Sequence, residues 1–491
     1  MCFEKFDIPL EGPMDYEKKI LPLRDYQVAD LSFYMRDPRS LVLSDPGTGK
    51  TPSVCVYAFH LWENLGEKSA WAQPPSLLEK NFQELLTFTP FTEDDIVIVD
   101  GTKAKRLKLM ADPTKKVFLM GFQCFSDNWE FLLKHQPDLN ALLVDEVHMG
   151  YGGSTSKRTH NMVRAMSKID KYLGMTGTLI DGKLSSAYPS IHVINPLYYG
   201  SYEGFMMEHA ITDDYGNVVA WRNPQKIKNI LQRHAIRHTF KEVFGDEAKV
   251  IIPERVQMVP KQLAAYKEFE EQALLELEED WLDGTIPAVH AIRCRQIMAH
   301  PQTMKILGEN ELTGKDQRLI VHLEDHKQSG KPLVIFASLV PEQERIAKIA
   351  RSMGLKVGLI NGKVQARDRA IIDQKFCAGE IQVLVGSPAT AAVGYNWGFV
   401  DTIVFVSMDY KDSNFIQGYR RAIRGVRDKP LLIYILQYES KVEDRILEIV
   451  EAKSRLSNQV DETKEVLSLR VEKKKKVERR KVTRLSMADL L

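Results

Sequence analysis

The amino-acid sequence predicts an α/β protein made of two parallel-sheet lobes in tandem, with a mostly helical insert between them. Three observations predict it. Short β-branched or aliphatic runs alternate with helix-like segments along most of the chain, which is the pattern of strand–helix–strand units. The runs fall into two sets of five, separated by a stretch without them. And a chain of 491 residues is too long for a single hydrophobic core.

In chain order, the first set is SLVL from residue 40, DIVIV from 95, KVFLM from 116, ALLV from 141 and KYLGM from 171. The second is PLVIFAS from 332, KVGLI from 356, IQVLVGS from 381, TIVFV from 402 and LLIYIL from 431. Between the sets, Leu263, Tyr266, Phe269, Ala273, Leu277 and Trp281 recur at steps of three and four, an amphipathic helix from Gln262 to Trp281. Upstream of it, EHAITDDYGNVVAWRN reads as a hairpin, because Tyr215-Gly216-Asn217 is turn chemistry between two strand-like runs. The expected boundaries are a first lobe over 1–195, the insert over 196–310, a second lobe over 311–455 and a charged, basic tail over 456–491. After about Ala452 the apolar anchors thin out, so a helix fading into a basic tail is expected there.

Hydrophobic residues make up 44% and charged residues 27%, as in a water-soluble globular chain, and no apolar run approaches the ~18 residues that span a bilayer. The N-terminus, MCFEKFDIPLEG, lacks the charged-then-apolar layout of a signal peptide, so a cytoplasmic protein with no membrane partner is expected. The cysteines, Cys2, Cys55, Cys124, Cys294 and Cys377, show no paired spacing, which argues against a disulfide framework and against zinc. Net charge is +1, yet residues 471–484 alone carry +6, leaving −5 for the rest. That run would attract nucleic-acid phosphates without regard to sequence and with strong salt dependence.

The stretch SLVLSDPGTGKTP at 40–52 places an apolar strand before a glycine-rich turn and a helix after it. That is the context of a phosphate-binding loop. Gly47 and Gly49, flanking Thr48, let the backbone turn tightly and aim several N–H groups at an anion. Lys50 is then placed to neutralise the β- and γ-phosphates of ATP, and the Thr51 hydroxyl to sit on Mg²⁺. About 95 residues later, ALLVDEVH is a buried strand ending in two carboxylates. Burying Asp145 and Glu146 unpaired would cost several kcal/mol. A metal or a polarised water explains them better: Asp145 holding Mg²⁺, directly or through water, and Glu146 aligning and deprotonating the attacking water.

The order GTGKT, DEVH, MTGT and QGYRRAIR resembles motifs I, II, III and VI of superfamily 2 helicases and translocases, and in detail the Swi/Snf branch. MTGTLIDGKLSSAYPSIHVINPLYYGSYEGF, RCRQIMAHP and LQRHAIRHTFKEV are similar to further elements of that branch, the last to its basic helix before the second lobe. The similarity spans about Leu23 to Lys453 and implies two RecA-like lobes that close on ATP and Mg²⁺. By this resemblance LRDYQ places Gln27 on the adenine, and Gln417, Arg421 and Arg424 reach the γ-phosphate from the second lobe. Arg421 and Arg424, three apart, are expected on one helical face. The resemblance also implies nucleic-acid contact at Ser76 and at Gly394 and Asn396 of GSPATAAVGYNWG, and coupling of nucleotide state to strand grip at Thr176-Gly177-Thr178.

The chain departs from the family at Ala391 and Ala392, where a glycine pair is usual, at Pro46, and at Tyr410, where a tryptophan is usual. A compact motor of this kind is similar to phage-encoded and fork-remodelling members. It implies an ATP-dependent translocase on duplex, forked or branched DNA, migrating branches in replication, recombination or repair. An RNA helicase and an ATP-gated DNA clamp without motor activity stand as alternatives. The aromatics Tyr202, Phe205, Tyr215 and Trp221 form a candidate base-stacking wedge.

Overall fold

The computed structural model describes residues 21–460, 467 and 469, apart from 152, 181–182, 284–288, 392–394, 410 and 424. Two parallel sheets organise the chain. The first has seven strands, β1 (Arg39–Val42), β2 (Lys68–Gln73), β3 (Ile96–Val99), β4 (Val117–Gly121), β5 (Leu139–Asp145), β6 (Lys171–Met175) and β9 (Ala235–Ile236), in the order β3-β4-β2-β5-β6-β1-β9. The second has six, β10 (Lys249–Val256), β11 (Leu333–Phe336), β12 (Val357–Ile360), β13 (Val383–Gly386), β14 (Thr402–Phe405) and β15 (Leu431–Tyr438), in the order β10-β15-β14-β11-β13-β12. A separate antiparallel pair joins β7 (Ala210–Thr212) to β8 (Val218–Trp221), the expected hairpin, with Gly216 at φ 85° in its turn.

Helices cover both faces of each large sheet, so the central strands are buried on both sides and read as nearly continuous apolar runs. Leu41, Phe118 and Leu142 face one core of the first lobe; Val42, Leu119 and Leu143 face the other. Among the described residues no helix is long and apolar enough to cross a membrane.

The stretch 196–310, expected as a separate helical insert, is divided between the two lobes. Phe205, Ile227, Ile230 and Leu231 join the first lobe's core, and β9 pairs with β1 at Leu41 and Val42. β10 pairs with β15 over its full length, from Lys249 opposite Leu431 to Val256 opposite Tyr438. The helices Pro260–Asp283, close to the span expected, and Val289–Ala299 pack through Tyr266, Ala273, Cys294 and Ile297 against Tyr438, Val442 and Ile446 of the second lobe. LQRHAIRHTFKEV is also not one helix. Helix Pro224–His234 stops at Ala235, the chain extends into β9, and a short helix Phe240–Phe244 restarts behind a capping box of Thr239 and Glu242.

The C-terminal helix, Lys441–Val460, runs farther than the thinning of apolar residues suggests. It leaves the second lobe and crosses back to the first, where Val460 enters the core and Ser457 donates to the Ile180 carbonyl at 3.2 Å. Leu467 and Leu469 are buried in the second lobe, and Gln437 donates to the Leu469 carbonyl at 2.7 Å. The basic run 471–484 lies outside the described residues.

Register sets the functional edge. Val42 is level with Met175, and Met175 with Asp145, so β1, β6 and β5 end side by side. The loop after β1, the Asp145-Glu146 pair and Thr176 therefore converge at the carboxyl ends of adjacent strands, where open α/β sheets bind ligands.

Candidate active site

The loop between β1 and the helix Lys50–Leu65 adopts the conformation its glycines allow. Gly47 and Gly49 stand at φ 89° and 87°, a left-handed region costly for residues with a Cβ. Thr48 is buried and its Oγ1 donates to the Asp45 carbonyl at 2.7 Å, bracing the turn. Lys50 begins the helix, with Thr51 next to it, and its Nζ donates to the Ser44 and Asp45 carbonyls at 2.8 and 3.2 Å. Burial lowers the Lys50 pKa, opposed by the negative charges of Glu146, Asp145 and Asp45.

Gln27 is buried beside this loop. Its Nε2 donates to the Gly49 carbonyl at 2.7 Å and its Oε1 accepts from the Arg24 N–H at 2.8 Å, while the Tyr26 hydroxyl donates to the Thr48 carbonyl. A Cβ on Gly49 would stand 3.0 Å from Gln27 Nε2, so the close approach itself requires glycine.

Asp145 and Glu146 close the other side. The Asp145 carboxyl is pushed up to about 6 by burial, then by the charge of Glu146, against the lowering influence of Lys50 and Lys80. Its Oδ1 accepts from the Glu146 N–H at 2.9 Å, and its Oδ2 lies 3.5 Å from Asn81 Nδ2, which also donates to Gln73 Oε1. Glu146 holds φ 50°, ψ 57°, a strained geometry for a non-glycine residue that costs on the order of 1–3 kcal/mol and points to functional constraint. Its Oε2 is buried without a hydrogen bond, 3.4 Å from His148 Nδ1.

His148 continues inward. Its Nδ1 lies 2.9 Å from Thr176 Oγ1, and that hydroxyl in turn accepts from the Thr178 N–H at 3.0 Å. Gly177, between the threonines, presses on the nucleotide loop: a Cβ there would stand 2.7 Å from Pro46 Cδ. The strand-end Thr-Gly-Thr thus touches the carboxylate pair through His148 and the loop after β1 through Pro46.

From the second lobe, helix Asp412–Tyr419 carries Gln417, which is buried. The helix ends at Tyr419, and Arg421 lies beyond it in a turn where its N–H donates to the Gly418 carbonyl at 3.3 Å. The expected common helical face of Arg421 and Arg424 does not extend to Arg421, and Arg424 lies outside the described residues. Arg421 is buried, and its positive charge adds a small further lowering to the Lys50 pKa beyond that of burial. Its neighbour Arg420 reaches the first lobe itself, with Nη1 3.2 Å from Asp45 Oδ1.

Ser76 is exposed on the short helix Pro75–Leu77. Asn396 is exposed and its Oδ1 accepts from the Gly398 N–H at 3.4 Å, while Gly394 lies outside the described residues, as do Ala392 and Tyr410. Of the proposed wedge aromatics, Phe205 is fully buried, and Tyr202 and Trp221 pack on the first lobe's core. Phe205 is structural, because a side chain inside a core cannot stack on a base, whereas Tyr202 and Trp221 are only partly buried. Tyr215 at the hairpin turn is 91% exposed.

Sequence reasoning missed Asp45, Asn81, His148 and Arg420. The visible signal for Asp45 was a carboxylate inside a loop meant for anions. For His148 it was the fourth letter of DEVH.

Residues 314–426 match the helicase conserved C-terminal domain family. Chromodomain-helicase-DNA-binding protein 1-like of Danio rerio is 23% identical over 481 residues, covering 90% of this chain. These matches support the resemblance to Swi/Snf-like members of helicase superfamily 2. The chain spans 44% of the length of that relative. The helicase domain of Pyrococcus furiosus Hef shares the fold, at 14% identity and a TM-score of 0.50 over 87% of this chain and 97% of that one. The Sulfolobus solfataricus SWI2/SNF2 ATPase core in complex with dsDNA is 19% identical, with a TM-score of 0.41, over 90% of this chain and 94% of its own.

Proposed function

We propose that this chain is a nucleic-acid-stimulated ATPase, an ATP-dependent translocase acting on duplex, forked or branched DNA. The observation that carries the proposal is the meeting of the lobes at the phosphate loop. Arg420 of the second lobe contacts Asp45, and the adjacent Arg421 brings its charge to bear on Lys50. A nucleotide held by the loop would therefore be completed by guanidinium groups from the opposite lobe, which makes hydrolysis depend on closure.

The residues present fit a magnesium–nucleotide group: a glycine-turned loop with a half-buried lysine at its exit, and a carboxylate pair, Asp145 buried and Glu146 half-buried, whose charges act on that lysine. Asp145 and Thr51 would hold Mg²⁺, which supplies charge neutralisation on the phosphate oxygens. Gly47, Thr48, Gly49 and Lys50 cradle the phosphates, and Gln27 sits at the loop's flank where the base would lie. Glu146 accepts the proton of the attacking water. Gln417, Arg421 and Arg424 stabilise charge on the transferred phosphoryl group, an effect on the order of 10³–10⁵ in rate in related enzymes. Thr176, Gly177 and Thr178 report occupancy of the loop to the rest of the first lobe. Ser76, Gly394 and Asn396 contact the DNA backbone, and the C-terminal basic run adds salt-sensitive attraction.

ATP turnover measured with duplex DNA, single-stranded DNA and RNA, alongside triplex displacement, tests the proposal. Duplex-stimulated turnover with displacement is expected. Stimulation by RNA alone, or duplex binding with neither turnover nor displacement, rejects it.

A further inference from the structure

An aspartate in a phosphate loop is an electrostatic anomaly, because a carboxylate repels the anion that the loop is built to hold. Its neighbours explain how it is tolerated. Asp45 is 4% exposed; its Oδ1 lies 3.4 Å from Arg237 Nη2 and 3.2 Å from Arg420 Nη1, and its Oδ2 accepts from the Phe240 N–H at 3.1 Å. Around it the chain that passes between the lobes is laid along the loop: the Asp45 N–H donates to the His238 carbonyl at 2.9 Å and the His238 N–H to Ser44 Oγ at 2.9 Å.

Arg420 does more than neutralise. Its second terminal nitrogen, Nη2, lies 2.6 Å from Glu247 Oε1, just ahead of β10, and the whole side chain is buried. Glu247 is paired in turn with Lys249, whose Nζ donates to the Tyr419 hydroxyl at 2.9 Å. One guanidinium therefore bridges a carboxylate of the first lobe and one of the second. Arginine suits this task because its planar fork offers two donors in fixed directions, whereas a lysine presents a single point charge.

The bridge has a consequence for its neighbour. Arg420 terminates helix Asp412–Tyr419, and Arg421 follows it in a tight turn whose carbonyl accepts from the Trp397 N–H at 2.8 Å. Fixing Arg420 at both ends fixes the backbone that presents Arg421. We propose that Arg420 is a positioning residue: its guanidinium, held between Asp45 of the phosphate loop and Glu247 of the second lobe, docks the Arg421 turn against the nucleotide loop before ATP binds. This rests on the reading above, in which Arg421 serves the phosphoryl group from across the seam. Arg420 itself acts on turnover through Arg421, and Asp45 is its anchor.

The test compares Arg420→Gln, Arg420→Lys, Asp45→Asn and the double variant Asp45→Asn/Arg420→Gln in the full chain, each with duplex DNA. It reads kcat, the ATP dissociation constant and interlobe energy transfer without nucleotide. Arg420→Gln is expected to lower kcat at least tenfold with ATP affinity within about threefold, and to widen the nucleotide-free interlobe distance. Arg420→Lys should fall between Gln and wild type, and the double variant should be no worse than the poorer single, because both changes cut one link. Losses that multiply in the double variant, or a wild-type kcat and interlobe distance in folded Arg420→Gln, overturn the proposal. Arg420→Lys keeps the charge and the fold, so a value equal to wild type in both readouts also overturns it. Arg421→Ala separates the two claims. Slow turnover there with unaffected Arg420 variants removes only this inference, whereas wild-type turnover in Arg421→Ala removes the reading beneath it.

Discussion

At the scale of single residues, Glu146 shows what the site demands. Its left-handed backbone places the carboxylate beside Asp145 and His148, and nothing in the letters DEVH announces that geometry. Glu146→Gln keeps the size and removes the base, so ATP binding should persist while turnover falls by about 10²–10⁴, the range for lost general-base catalysis. Equilibrium nucleotide binding and steady-state hydrolysis check both halves, and near-normal turnover would reject the assignment. Gly177 gives a second prediction. Its missing Cβ leaves room for Pro46, so Gly177→Ala should strain the nucleotide loop, costing about 1–3 kcal/mol in urea unfolding and slowing turnover. Pro46→Ala in the same chain should restore most of both, and equal behaviour of the single and double variants would show that the contact is not what matters. The proximity of Lys50 to Asp145 and Glu146 was legible in the sequence, because each carries charge at the end of an apolar strand or the start of the helix after it. Arg420, Asp45 and Asn81 were not, because their partners lie 375, 375 and 64 positions away and only the fold brings them close.

At the scale of elements, every strand in the two sequence-derived sets is present, because burial on both faces forces an apolar run. The strands that escaped notice break that rule. β2, KSAWAQ, begins and ends with polar side chains, both buried; Lys68 is satisfied by the Pro113 carbonyl and Gln136 Oε1, each at 2.8 Å. β10 is an edge strand of half-exposed residues, and β9 is two residues long. The C-terminal helix was expected to fade because its later apolar residues are sparse, yet Leu456, Ser457 and Val460 seat its end on the first lobe.

Helix Val340–Ser352 carries a further prediction. Burial pushes the Glu342 carboxyl up from 4.5 to about 7, only partly offset by the Ser407 hydroxyl, which donates to it at 2.6 Å, and by Lys315. The folded protein thus holds this proton more tightly than the unfolded chain. The cost of ionising it is absent below about 4.5 and complete above about 7, so wild-type stability should decline across that window. Glu342→Gln, which can still accept from Ser407, should gain on wild type by on the order of 3 kcal/mol between the two ends. Denaturant unfolding at pH 5 and pH 8 measures it, and a stability difference that does not change with pH would contradict the account.

At the scale of the whole molecule, the chain is two sheets whose functional edges face one seam. The first contributes the glycine-turned loop, the carboxylate pair and the Thr-Gly-Thr turn; the second contributes Arg420 and the adjacent Arg421. The division of 196–310 between the lobes was hidden from sequence because short edge strands carry little pattern of their own, whereas the tandem architecture was visible from strand spacing alone. The crossing segment around Arg237–Phe240 contacts the loop after β1 at Asp45, and the returning helix Lys441–Val460 contacts the first lobe at Ile180. The central claim is that a nucleotide gripped by one lobe is completed by the other. Single-turnover hydrolysis by Arg421→Ala, with saturating ATP and duplex DNA and with ATP affinity measured in parallel, tests it most directly. The account predicts a rate lower by about 10³ or more with affinity little altered; an undiminished rate would contradict it.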